Sequence, residues 1–166
     1  MQIRPLRPGE GTRLREFRLQ ALREAPHAFF WPLETEQRIP AAQWEEWADD
    51  AGGGNDRVMF VAEEHGEWLG MAGCSLRGDD AGTLDATGMW VAPPARGRHI
   101  GELLIDAIID WGSAHGATIM EFAVAETNAV AIALYRRVGF VPTGRRRAMD
   151  SNPGTVGIFM AKSLRR

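Results

Sequence analysis

Hydrophobic and polar positions recur along this chain with two periods, and the changes of period divide it into elements. Residues 2–6 (QIRPL) read as a short strand, and Pro5, with no amide proton for a ladder, places it at a sheet edge. Residues 8–26 follow a helical period, with Leu14, Phe17, Ala21 and Leu22 on one stripe and Pro26 as terminator. The stretch 27–40 (HAFFWPLETEQRIP) has no clear period, and 41–51 (AAQWEEWADDA) read as a short helix stopped by Gly52, Gly53 and Gly54. The period then becomes two. Residues 56–63, 67–78 and 83–92 are strands joined by turns around 64–66 and 79–82, an antiparallel meander. A helical period returns from Ile100 to His115, with Ile100, Leu103, Leu104, Ala107, Ile108 and Trp111 as the apolar stripe, Glu102, Asp106 and Asp110 toward solvent, and Gly116 as C-cap. Residues 118–124 (TIMEFAV) give a strand, so this strand–helix–strand order predicts a parallel βαβ unit. A further helix over 128–140 opens on Asn128 as N-cap and closes at Gly139, and 141–149 with 155–164 form a last pair of strands. With no repeat or linker, residues 1–166 are expected to form one domain.

Composition narrows the function classes. A length of 166 residues with 45% apolar and 25% charged residues is that of an ordinary globular chain with a core. The net charge of −3 argues against general nucleic-acid binding. One cysteine, Cys74, excludes an internal disulfide, and it is expected to pack as a small apolar residue. The four histidines are scattered without metal-ligand spacing, so no metal is expected. No apolar run approaches the ~20 residues of a membrane span and the N-terminus lacks a signal-peptide core, so the expectation is a cytoplasmic protein with no membrane partner.

The candidate chemistry lies at Val91–Leu104 (VAPPARGRHIGELL). Pro93 and Pro94 end a strand ladder, Gly97 and Gly101 allow close backbone approach, and a helix starts at once. The first helical turn has amides without intrahelical partners and carries partial positive charge. With Arg96 and Arg98 beside it, the turn suits a pyrophosphate. A plain strand-to-helix turn with solvated arginines fits the local pattern equally well. It is neither a P-loop nor a dinucleotide fingerprint. The second candidate stretch is VAETNAVAIALYRRVGF, where Asn128 starts a helix and Tyr135, the only tyrosine, lies two turns on along the same face.

Together the two stretches resemble the GNAT superfamily of acyl-CoA-dependent N-acyltransferases. Arg96, Ile100 and Gly101 fit that family's Q/R-x-x-G-x-G/A signature, with His99 standing where the family has glycine. Asn128, Ala131, Tyr135, Gly139 and Phe140 fit its N-x-x-A-x-x-x-Y-x-x-x-G-F segment. The element order agrees over nearly the whole chain. The resemblance implies an α/β fold: a mostly antiparallel sheet of about seven strands with one parallel βαβ unit, splayed fourth and fifth strands, and helices on both faces. It implies acetyl-CoA as acyl donor. The backbone of Met89, Trp90 and Val91 would bind the pantetheine arm like an added strand. The amides of Gly97, Arg98, His99, Ile100, Gly101 and Glu102 would hold the pyrophosphate. Asn128 would bind the arm, and Tyr135 would lie near the sulfur.

The implied reaction is attack of a neutral primary amine on a thioester in a ternary complex. A lysine-like amine has a pKa of about 10.4 and must first lose a proton. Asp85, on the fourth strand where the histone-acetylating branch has a catalytic glutamate, is the preferred base, and Glu121 is its rival. The bland reading of Asp85 is a solvent-facing turn residue. An amide near Trp90 would stabilise the oxyanion, and Tyr135 would protonate the leaving thiolate. Glu34, Glu36, Glu45 and Glu46 could attract a cationic amine or form a solvated helix face; Phe29, Phe30 and Trp31 could line an acceptor pocket or pack as core; Arg145, Arg146 and Arg147 could meet an acidic acceptor or the carrier's 3′-phosphate or be exposed strand charge. The acceptor is a small-molecule or protein amine, and a homodimer is compatible with this reading. The alternatives are a non-catalytic acyl-CoA-binding sensor on the same fold and, less favoured, a nucleotide-binding regulatory domain.

Overall fold

The computed structural model describes residues 1–53, 55–78 and 80–165. Its strands are β1 (Gln2–Pro5), β2 (Arg57–Glu64), β3 (Glu67–Arg77), β4 (Asp80–Val91), β5 (Ile119–Ala125), β6 (Val141–Ala148) and β7 (Val156–Ser163). They form one seven-stranded sheet in the order β1-β2-β3-β4-β5-β7-β6, antiparallel throughout except for the parallel β4–β5 pair. The helices are α1 (Gly11–Glu24), α2 (Leu33–Gln37), α3 (Ala41–Gly53), α4 (Ile100–Ala114) and α5 (Ala129–Arg137), with a 3-10 turn at Pro26–Ala28.

The sheet separates two cores because its side chains alternate between faces. One face packs Phe60, Leu84 and Phe122 against Ile100, Leu104 and Ile108 of α4 and Tyr135 of α5. The other packs Val61, Trp68, Met71 and Trp90 against Leu14 and Phe17 of α1 and Trp44 of α3. At the sheet edge expected from Pro5, Arg4 is only 4% exposed and holds Glu10 and Glu63, tying β1, the following loop and β2 together.

Several expectations are corrected. The stripe of α4 is rotated: Ile105 is fully buried, while Leu103 is 39% exposed. Both fit a helical period, and the packing of α4 on strands β2, β3 and β4 selects the buried set. A Cβ at Gly101 would stand 2.9 Å from Leu134 Cδ2, so this glycine first serves helix packing. The stretch without a period contains α2, too short to show one. The helix after it runs on through Gly53, and Gly54 lies outside the described residues, as does Asp79 of the expected 79–82 turn. Glu36 is not solvated but 7% exposed against Arg18, and Glu45 accepts the amides of Gly11 and Thr12. Phe29 is core, Phe30 lies over Gly157, where a Cβ would stand 2.2 Å from its ring, and Trp31 is exposed.

Two features open the sheet in its middle. β4 and β5 pair only from Thr83↔Ile119 to Ala86↔Phe122 and then part. At the same point β4 carries a bulge: Met71 faces Trp90 but Gly73 faces Thr87, so β4 spends one residue more than β3, with Gly88 at φ 65°. The extra residue reverses the alternation. Met89 therefore packs on the α4 face and Trp90 on the α1 face.

Candidate active site

A cleft of about 1990 Å³ enters the split and reaches both faces of the sheet. On the α4 side it is bounded by the turn before α4. Arg96 is extended, Gly97 has φ 78° and His99 has φ 60° and ψ 17°, left-handed conformations at both positions. Histidine therefore adopts the backbone that glycine supplies elsewhere, at a steric cost. Among the described residues none of the amides from Gly97 to Glu102 donates to protein, and the first helical bond runs from Leu103 N–H to His99 O, 3.1 Å. This is an open helix N-terminus lined with free donors. Ile100 is buried as the hydrophobic anchor of the turn.

The flanking charges are paired. Arg96 Nη2 donates to Glu24 at 2.7 Å and its Nε to Val91 O at 3.1 Å; Glu24 also accepts from Trp90 Nε1 at 3.0 Å. Those contacts hold the Glu24 carboxyl below its usual range. Arg98 donates to Glu64 and does not line the cleft. The exposed imidazole of His99 meets Glu102 at 2.8 Å, and Glu102 also pairs with Arg137; the two partners hold its carboxyl low. Positive charge at the turn thus comes chiefly from amides and the helix dipole.

Along β4, Ala92 N–H donates to Leu69 O at 2.9 Å. Ladder groups alternate sides, so the N–H and C=O of Val91 face away from β3 and into the split. Asn128 caps α5, its Oδ1 accepting from Ala131 N–H at 3.1 Å. Tyr135, buried in that helix, stacks on Phe122 at 4.3 Å, and its hydroxyl donates to Met89 Sδ at 3.8 Å. Burial pushes the phenol above its ordinary value, so it stays protonated.

On the α1 side, Asp85 and Glu121 stand opposite each other at the last paired rungs. Neither simply faces solvent. Arg77 holds Asp85 through both carboxylate oxygens and reaches Glu121 at 2.6 Å, and Arg145 takes Glu121 at 2.8 Å. Burial raises the Glu121 carboxyl, but the two guanidinium groups outweigh it and hold it low. Cys74 is buried and its thiol pushed up to about 12, which makes it inert. Arg77, Glu24 and Arg18 were not marked by any local pattern; Arg77 meets Asp85 across the β3–β4 hairpin, and Glu121, Arg96 and Glu36 reach their partners only through the fold. Among the described residues no cluster of metal-ligating side chains exists and no helix is long and apolar enough to cross a membrane.

Solved structures share this split-sheet fold. The chain belongs to the Acetyltransferase (GNAT) family, whose sequence profile matches residues 17–140. A putative acetyltransferase from Salmonella typhimurium, solved with its cofactor acetyl-CoA, shares the fold at a TM-score of 0.79 and 21% identity, covering 100% of this chain and 95% of that one. An IAA acetyltransferase of Azospirillum brasilense is 31% identical over 66% of this chain and 69% of its own. A mycothiol acetyltransferase of Beutenbergia cavernae is 30% identical over 65% of this chain, and the match spans only 34% of that protein.

Proposed function

We propose that this protein transfers an acetyl group from acetyl-CoA to a primary amine by direct attack in a ternary complex. The observation that carries this is the juxtaposition of a free-amide helix N-terminus with a split in the sheet where a buried tyrosine hydroxyl points at a sulfur. The amides from Gly97 to Glu102 suit a pyrophosphate, and the inward N–H and C=O of Val91, with Met89 and Trp90, suit the amides of a pantetheine arm. Arg96 now covers Val91 O and would swing away. The carboxamide nitrogen of Asn128, unused by the cap, is left for the arm.

In the reaction a C–N bond forms and the C–S bond breaks. Asp85 takes the amine proton through a water. It is favoured over Glu121 because its side chain is 36% exposed and bound by one guanidinium, whereas Glu121 is 11% exposed between two. An amide of β4 near Trp90 faces the oxyanion. The Tyr135 hydroxyl, held now by a weak sulfur contact, passes its proton to the departing thiolate as that charge develops. Release of free CoA from acetyl-CoA with a mixed panel of primary amines tests the proposal. Acetyl-CoA binding without CoA release on any amine would favour instead the sensor reading, for which the occupied carboxylates of Asp85 and Glu121 speak.

A further inference from the structure

We infer that the acceptor amine carries a carboxylate of its own, as a free amino acid does, and that Arg147 and Arg18 receive it. This acceptor class rests on the acetyl-transfer reading and narrows it. On the wall of the cleft facing away from α4, three guanidinium groups lie over aromatic rings: Arg18 over Phe29 at 4.3 Å, Arg145 over Phe159 at 4.1 Å and Arg147 over Phe30 at 5.4 Å. Stacking of this kind fixes the guanidinium plane and leaves its N–H edge for a ligand.

The carboxylates on the same wall are already engaged. Glu36 accepts two hydrogen bonds from Arg18, at 2.8 and 2.6 Å. Asp85 is held by Arg77, and Glu121 by Arg77 and Arg145. A polycationic acceptor needs free carboxylates, and these three are taken. Donors are what remain. Arg18 Nη1 is buried without a hydrogen-bond partner and stands on the Gly88 side of the guanidinium, 3.7 Å from where a Cβ of that residue would be, beside the opening of the split. A buried N–H left unpaired is costly, and a bound anion relieves it. Arg147 has no carboxylate within ion-pair distance among the described residues and lies on the exposed strand β6. Guanidinium and carboxylate match in a planar, bidentate way. The remaining wall (Phe29, Phe30, Trp31, Trp47) is apolar, so the acid that fits has an apolar side chain.

The test measures CoA release with L-phenylalanine and L-leucine, their amides, the corresponding decarboxylated amines, and a short peptide beginning with phenylalanine. The free acids should be turned over with kcat/KM at least about tenfold above the amides and amines, the difference lying in KM, because a charged hydrogen bond is lost. Arg147→Gln should remove most of that preference by raising KM for the acids about tenfold while leaving the amides unchanged; its exposed position keeps the fold out of the result. Equal turnover of acids and amides, or a preference for the peptide, would overturn the acceptor class and leave acetyl transfer standing. Binding of acetyl-CoA with no CoA release on any amine would overturn both.

Discussion

At the scale of single residues the proposed chemistry rests on two groups whose surroundings oppose it. Tyr135, the proposed acid, is made weaker by burial and would act only if the developing thiolate replaced Met89 as its partner. Tyr135→Phe keeps the ring on Phe122, so the fold and CoA affinity should persist while kcat falls on the order of 10²-fold. Steady-state kinetics beside a direct CoA titration measures both. Because the raised pKa keeps the hydroxyl protonated, the wild-type rate should show no loss from tyrosine ionisation up to pH 10. Asp85, the proposed base, is tied to Arg77. Asp85→Asn should cost more activity at pH 7 than at pH 9, where more of the amine is already neutral; an equal loss at both would move the role to Glu121. The tyrosine and the cap at Asn128 were legible in sequence because their spacing is local. The arginine on Asp85 was not, since nothing within a strand tells which guanidinium will cross to it.

At the scale of elements, the turn into α4 is the part that periodicity located well: a strand end at Pro93, a helix start at Ile100, and glycines between. What periodicity missed was rotation. Leu103 and Ile105 fit the helical stripe equally well from the sequence, and only the face that α4 lays on the sheet settles which is buried. Short α2 was illegible for a related reason, since one and a half turns carry no period. The turn itself yields a clean test at Gly97. A side chain there meets nothing within 4 Å, and aspartate tolerates the left-handed backbone better than most residues. Gly97→Asp should therefore fold yet set a carboxylate against the phosphates. Millimolar acetyl-CoA should raise the melting temperature of the wild type by mass action and leave that of the variant unchanged.

At the scale of the whole molecule, arginine–carboxylate ties hold the sheet at one edge and in its middle: Arg4 with Glu10 and Glu63 at the edge, Arg77 with Asp85 and Glu121 at the split. The carboxyls of Glu10, Glu63 and Glu121 are all held below their ordinary value of 4.5. A group depressed in the folded state stabilises it above the unfolded value and loses that contribution as pH falls through the folded one. Stability should accordingly stay level from neutrality to about pH 5 and then drop steeply below 4.5, read as the melting temperature in an acid titration. The bulge in β4 carries a different kind of consequence. One surplus residue beside Gly88 decides that Met89 turns to the α4 side of the sheet and Trp90 to the α1 side. The strand is thus read in two frames, one before the bulge and one after it. Deleting Gly88 would cancel that shift as a second frameshift restores a message: Met89 would still face α4 and Trp90 would still meet Met71, but the strand would run straight. The local bend beside the place where β4 parts from β5 would go, and the cleft should narrow although every side chain kept its face.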